Sequence, residues 1–294
     1  MNAGAFGLNL AVTAAVALAV LLAAFAVGVR TGRHRGVDVA WGLAFTAVAL
    51  VGLALSAGHG DPGRRLPATV LVTVWGLRLS AHIWWRSRGA PEDPRYARML
   101  ARAPEGAART RYALRIVYLL QAGLVWFVSL PVQAAQYLPG PPGALAVAGT
   151  GLWAVGLFFE AVGDHQLARF KADPANRGRI MDRGLWRYTR HPNYFGDACV
   201  WWGLFLLVAD TALGWAFVLS PLLMTWLLAF GSGKPMLERH LGARRPGWAD
   251  YAARTSGFLP LPPRRRPAPP TRPTSPTSPT APTSPTAPPA RPDP

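Results

Sequence analysis

Apolar residues in this chain come in blocks long enough to cross a membrane, and polar residues are gathered into the joints between them. Seven such segments can be read, at approximately 5–29, 37–57, 66–85, 112–131, 143–163, 197–209 and 211–230. About 20 consecutive apolar residues are needed for a helix to cross a hydrocarbon core of about 30 Å. The pattern therefore predicts an all-α integral membrane protein, a bundle of about seven transmembrane helices. The sixth segment is short; it shares a polar hinge at Asp210 with the seventh and can extend back into the polar run before it. From residue 262 the pattern stops, and "PPRRRPAPPTRPTSPTSPTAPTSPTAPPARPDP" has nothing with which to build a core. The expected organisation is a membrane domain over 1–261 and a disordered or locally polyproline-like tail over 262–294.

Loop charges orient the bundle. Arg30, Arg33 and Arg35 follow the first segment, Arg86 to Arg111 supply seven arginines after the third, and Arg169 to Arg190 supply six arginines and Lys171 after the fifth. The alternate joints carry only Arg64 and Arg65, then none in "VQAAQYLPGPP", then none near Asp210. Cationic loops stay in the cytoplasm, so the N-terminus is expected outside and the C-terminus inside. The first segment lacks a positive flank before it, which suits an N-out anchor better than a cleaved signal peptide.

Composition agrees: 51% of residues are hydrophobic and only 15% charged, against roughly 25% charged in soluble domains. A net charge of +17 invites a nucleic-acid reading, but the cations are spread over loops with no DNA- or RNA-binding pattern to use them. The single cysteine, Cys199, excludes an internal disulfide. Histidines show no paired ligand spacing, so no metal site is expected. "GTGLWA" at 149–154 matches a dinucleotide fingerprint by letter, yet it lies inside an apolar span, where glycines let helices pack closely. "GSGKP" at 231–235 lacks the rest of a phosphate loop.

What remains is polar chemistry in or beside the membrane, where ionisable groups are costly and point to function. Asp38 opens the second segment. Arg78 and His82, four residues apart, share one face of the third, as Glu160 and Asp164 do at the end of the fifth. Interfacial or interhelical polar contacts are the ordinary alternative for Asp38, His82 and Glu160. The stretch from 160 to 197 is denser still and ends in "GLWRYTRHPNYFGD". Lys171, Arg177, Arg179 and Arg190 suit phosphates, Asn193 and Tyr194 offer neutral hydrogen bonding, and Asp164 and Asp197 can accept from hydroxyl or amide groups. A nucleotide cofactor needs that mixture. A loop serving topology alone needs neither His-Pro-Asn-Tyr nor the Gly and acid that follow it.

Taken together, "VDVAWGL", "WGLRLSAHIWWRSRGAPEDPRY", "DHQLARFK" and "GLWRYTRHPNYFGD" closely resemble the DUF1295 family, a bacterial branch of the steroid 5α-reductase-like membrane proteins, over about residues 35–262. The resemblance implies a seven-helix bundle in a bacterial plasma membrane, with NADPH in a cytoplasm-facing cavity built from about residues 143–261. It also implies hydride transfer to an enone-like double bond. The positions it assigns to NADPH are Asp164, Lys171, Arg179, Asn193, Tyr194 and Asp197. Arg190 and His191 join them through "RHPNY", which recurs in sterol reductases and isoprenylcysteine-type methyltransferases. Glu160 stands where the steroid enzymes can carry an amide, and Tyr251 lies in a closing segment, "RRPGWADYAARTSGFLP", like the family's own.

The catalytic half departs from that pattern. Steroid 5α-reductases polarise the substrate carbonyl with an acid on the second helix and a tyrosine on the third. Asp38 supplies the acid, but the third segment has no tyrosine; His82 is the replacement donor, with Glu92 and Tyr96 of "PEDPRY" as alternatives. The expectation is an NADPH-dependent reductase of a carbon–carbon double bond in a lipid-like substrate arriving from the bilayer. The runner-up is an S-adenosylmethionine-dependent membrane methyltransferase, since "RHPNYFG" is shared with that class. A third reading is a membrane assembly or lipid-binding protein without catalysis.

Overall fold

The computed structural model describes residues 1–231, 233–242 and 245–264. Among these it is helical throughout, without a strand; one isolated parallel bridge joins Thr189 to Ser256. The long elements are α1 (Ala3–Thr31), α2 (Gly36–Leu55) and α3 (Pro62–Ser87), followed by the short α4 (Pro94–Leu100). A continuous helical run then comprises α5 (Ala107–Ala113), a π-helical stretch (Leu114–Leu119), α6 (Leu120–Val128) and α7 (Leu130–Ala135). After it come α8 (Ala144–Ala172), α9 (Pro192–Leu206), α10 (Leu219–Ala229), α11 (Lys234–Gly242) and α12 (Trp248–Arg254). Six helical runs among the described residues are long and apolar enough to cross a membrane.

The predicted sixth segment is the exception. It forms α9, which starts five residues early at Pro192, inside the polar motif, and has 15 residues. At 1.5 Å per residue it is about 22 Å long, short of a hydrocarbon core. Its faces are covered by protein: α8 and α9 make the most extensive helix pair in the molecule. Glycines set that closeness. Gly149 lies against Gly203, and Gly156 against Gly196, at seven-residue intervals on each helix. A Cβ on Gly156 would sit 2.5 Å from the Gly196 carbonyl oxygen. Of the two glycines in "GTGLWA", Gly149 is in this seam and Gly151 faces open space.

The membrane-length helices leave apolar side chains on their outer surface. On α1 only a stripe (Phe6, Asn9, Thr13, Ala17, Leu21 and Gly28) is buried, while Leu8, Leu18, Leu22 and Val27 face outward. Beneath this shell, Phe45 of α2, Trp75 of α3 and Trp201 of α9 form an aromatic cluster with ring centroids 4.6 to 5.5 Å apart. The expected uncharged joint "VQAAQY" is instead helical and internal. Gln133 and Gln136 are fully buried, Gln133 accepting from Thr13 at 2.7 Å and Gln136 donating to Thr69 at 2.8 Å.

Arg64 and Arg65, the two cations that broke the loop-charge pattern, both have internal partners. Arg65 donates to the Leu53 carbonyl at 2.8 Å, near the end of α2. Arg64 is 3% exposed and donates to the carbonyls of Leu207 and Pro141 and to both oxygens of Asp210, at 2.6 and 2.9 Å. Asp210 in turn accepts from Gly143 N–H at 2.8 Å, just ahead of α8. One guanidinium thus ties the start of α3 to the segment before α8 and the segment after α9. The expected tail, 262–294, lies outside the described residues from 265 onward.

Two outcomes follow for stability. Gly156→Ala and Gly196→Ala force α8 and α9 apart and should each cost about 1–3 kcal/mol, whereas Gly151→Ala should be neutral or slightly stabilising. Thermal melts in detergent check this. The hydrogen bonds from Arg64 hold the Asp210 carboxyl below its ordinary range, against the opposing effect of burial. A depressed folded-state value gives stability that is present above the unfolded pKa of about 3.9 and lost as pH falls through the folded one. Wild-type melting temperature should therefore drop on acidification below about pH 4, with Asp210→Asn starting lower at neutral pH and showing a shallower acid slope.

Candidate functional site

The polar residues of the membrane domain meet in three places at one end of the bundle. The first lies between α3 and α8. Arg78, from the third turn before the end of α3, donates to Asp164 Oδ2 at 2.9 Å and to Glu160 Oε2. Trp75 Nε1, one turn earlier, donates to Glu160 Oε1 at 2.9 Å. His82 Nε2 lies 3.6 Å from Asp164 Oδ2. The i, i+4 spacings read from sequence are what bring the two faces together. Glu160 is 2% and Asp164 7% exposed, so Arg78 neutralises charge that water cannot reach. Asp197 of α9 adds a third carboxylate within electrostatic reach of Glu160; its buried Oδ1 makes no well-formed hydrogen bond among the described residues, with the Trp201 indole the donor near the carboxyl.

The second place is built by "PEDPRY". Asp93 caps α4, and Pro94 begins it. Arg95 Nη2 then reaches Asp38 Oδ2 at 2.6 Å, and the Tyr96 hydroxyl donates to Asp38 Oδ1. Burial and the Asp38 charge push the Tyr96 hydroxyl well above its ordinary pKa, so it stays protonated. Glu92 accepts from the backbone N–H groups of His34, Arg35 and Asp93, which makes it a loop anchor. Asp38 and His82 are not brought into contact: Asp38 is held by α4, and His82 faces α8. Tyr194, at the start of α9, lies within electrostatic reach of Asp38, Arg95, Arg86 and Asp197.

The third place is a cavity of about 410 Å³ beyond the end of α8. Lys171, Arg177, Arg179, Arg190 and Arg245 line it, together with the aromatic side chains of Trp186, Trp248 and Tyr251. The volume falls in the ordinary range for small-molecule sites. Glu160, Asp164, Leu167 and Lys171 recur on one face of α8, so the buried carboxylates and the cavity lie along one line. Among the described residues, no carboxylate forms an ion pair with Lys171, Arg177, Arg179 or Arg245.

"GLWRYTRHPNYFGD" does two jobs. Trp186 Nε1 donates to the Gly163 carbonyl at 3.0 Å, and the Tyr251 hydroxyl donates to the Trp186 carbonyl at 2.6 Å. Thr189 Oγ1 donates to the Phe258 carbonyl, and Arg190 Nη1 to those of Ala252 and Thr255. The motif is thus the strip on which residues 248–261 dock. Arg190 is spent on this strip and on Glu238, 2.9 Å from its Nε, which leaves it less to offer a phosphate than its sequence context implied. His191 is buried against Glu238 and Tyr194, and Asn193 Oδ1 accepts from Tyr194 N–H at 3.1 Å. Sequence reasoning passed over Glu238, Arg245 and Trp248. Their signal was a second polar run carrying cations and tryptophan just past the last apolar segment.

A family model described as "Protein of unknown function (DUF1295)" matches residues 24–255. The chain is also similar to 3-oxo-5-alpha-steroid 4-dehydrogenase 1 of Bos taurus, with 28% identity over 212 residues, 65% of this chain and 74% of that one. No solved structure matches it significantly.

Removing Arg78 alone strands two buried carboxylates. Arg78→Met should cost about 3–5 kcal/mol in detergent melts, and adding Glu160→Gln to it should recover part of the loss. A double variant no more stable than Arg78→Met would show that the pairing is not what supports this region.

Proposed function

The chain belongs to the DUF1295 family, and from that premise we propose that it is a membrane-embedded, NADPH-dependent reductase of a carbon–carbon double bond in a hydrophobic, steroid- or lipid-like substrate. The proposal includes a seven-crossing topology with α9 as the short crossing, the N-terminus outside and the cavity on the cytoplasmic side. The observation that carries it is the cavity: four cations that pair with no carboxylate among the described residues converge among aromatic side chains. Like charges gathered in a concave site favour a polyanion, and arginine binds phosphate bidentately.

The chain's own residues fit a phosphorylated dinucleotide. Lys171, Arg177, Arg179 and Arg245 would hold phosphates, and Trp186, Trp248 and Tyr251 offer faces for flat rings. Asp197 Oδ1, without a well-formed hydrogen bond among the described residues, can accept from an amide or hydroxyl, and Asn193 can donate to one. NADPH would supply a hydride and leave a positively charged nicotinamide ring, and Glu160, Asp164 and Asp197 are the acidic side chains that could stand beside it. Asp38 and His82 are the proposed polarising groups for the acceptor. Tyr96, protonated and seated on Asp38, is the alternative donor on that side.

Detergent-purified protein should quench or shift NADPH fluorescence and melt at higher temperature with NADPH than without. Lys171→Ala and Arg245→Ala should each weaken binding by about tenfold or more, the loss expected for a hydrogen bond with a charged partner, and Asn193→Ala by about threefold to tenfold, as for a neutral one. S-adenosylmethionine is the control. Stabilisation by it and not by NADPH would replace the reductase with a methyltransferase.

A further inference from the structure

In the bundle α3 rests chiefly on α2, and α8 on α9. What joins α3 to α8 is a set of side chains: Trp75 and Arg78 reach across to Glu160 and Asp164. Beside these links opens a groove of about 180 Å³, lined by Arg78, His82 and Trp85 of α3 and by Ala161, Asp164, His165 and Ala168 of α8. Trp85, Ala161 and His165 are exposed, so the groove is open along its rim. His82 makes no hydrogen bond among the described residues; its Nε2 stands 3.6 Å from Asp164 Oδ2, beyond hydrogen-bond distance. An imidazole always carries at least one N–H, and here that donor is left for a ligand.

The groove has a polar end and an apolar direction. Val74, one turn back from Arg78 along α3, and Phe158, one turn back from Ala161 along α8, are exposed and continue the same two faces. His82 lies five residues before the end of α3 at Ser87, about 7.5 Å along the helix axis. An amphiphile fits this gradient, with its polar end at His82 and its apolar body along Val74 and Phe158. Arg78 already faces two carboxyl groups, so the floor has no spare positive charge for a phosphate or carboxylate head. The volume is below the roughly 300–1,000 Å³ of sites that enclose a whole ligand, so the groove takes one end of the molecule. It also adjoins the cation-lined cavity: Ala168 lines the groove and Leu167 the cavity, and Arg86 is within electrostatic reach of both His82 and Lys171.

We propose that the groove between α3 and α8 is a lateral entrance from the bilayer, and that it selects an amphiphile with a neutral hydrogen-bond acceptor at its head over the anionic lipids around it. This rests on the reductase reading above and adds to it the substrate's route and the class of its head. The His82 N–H receives the head, a carbonyl oxygen, while the body stays against Val74 and Phe158. From there the molecule moves past Asp164 toward the cavity. Two ligands of opposite polarity thus use two openings: the polyanion enters beyond the end of α8, and the amphiphile enters from the side.

The test uses the full chain in lipid nanodiscs and two photoreactive probes. One is a long-chain α,β-unsaturated ketone with a diazirine beside the enone; the other is phosphatidylglycerol with a diazirine at the headgroup end of one acyl chain. Mass spectrometry maps the crosslinks. The ketone should label the groove walls saturably, while phosphatidylglycerol should label them no more than other exposed helix faces. Ala161→Trp fills the groove from its rim and should lower ketone labelling about tenfold. Val155→Trp, on α8 outside the groove, should leave it unchanged, and both variants should keep the NADPH-induced rise in melting temperature. His82→Phe keeps a ring and loses the N–H, and should weaken saturation about threefold to tenfold. Ketone labelling at other helix faces, or labelling that Ala161→Trp leaves intact, overturns the entrance. Equal labelling by phosphatidylglycerol overturns the selection and makes the groove an ordinary lipid contact. Groove labelling as expected, with no NADPH response in wild type, instead sinks the reductase reading and leaves an amphiphile site that delivers nothing to NADPH.

Discussion

The architecture depends on how Glu160 and Asp164 are kept charged or hydrogen-bonded away from water. Isolated, a buried carboxylate costs several kcal/mol, and two of them on one helix face would drive that face to the surface. Arg78 prevents this by reaching both from a different helix, and Trp75 satisfies one oxygen more. Trp75 also belongs to the aromatic cluster with Phe45 and Trp201. The polar centre and the apolar core therefore share a residue, and neither can shift without the other. This coupling also fixes the carboxylates one and two turns below the cavity on the same face of α8.

A second constraint is distance. With side chains at Gly156 and Gly196, α8 and α9 would stand farther apart and Asp197 would leave the neighbourhood of Glu160. The seam is thus both packing and electrostatics. It brings three acids within reach of one arginine, which is unfavourable for folding unless positive charge or hydrogen-bond donors are supplied from outside the chain. Natural proteins depart from local optimality in this way at sites with a task.

Much of this was legible in the sequence because hydrophobic blocks, loop cations and i, i+4 polar pairs are local signals. Arg78 with His82 and Glu160 with Asp164 were readable as faces, and the faces meet. What a single chain cannot express locally is which faces meet and which polar residues are consumed by structure. Arg64 read as a topological charge and proved to be a buried tie between chain segments. Glu92 read as an alternative proton donor, and its hydrogen bonds to the backbone before α2 are long-range contacts that no spacing reveals. Gln133 and Gln136 read as a joint because the partners that tie them to other helices, Thr13 and Thr69, are more than 60 residues away. The polar motif before α9 was recognised as special, but its docking of residues 248–261 is a long-range contact that no spacing rule reveals.

That docking has a consequence for how the protein is made. Lys171, Arg177 and Arg179 leave the ribosome well before Arg245 and Trp248, and the segments carrying α1 to α10 precede both of the latter. Membrane insertion and helix packing can then proceed in order from the first helix onward, while the strip at 184–191 waits for its partner. The cavity is assembled last, after the bundle that supports it. A nascent chain therefore passes through a state in which the membrane domain is built and the cation-lined chamber still lacks a wall.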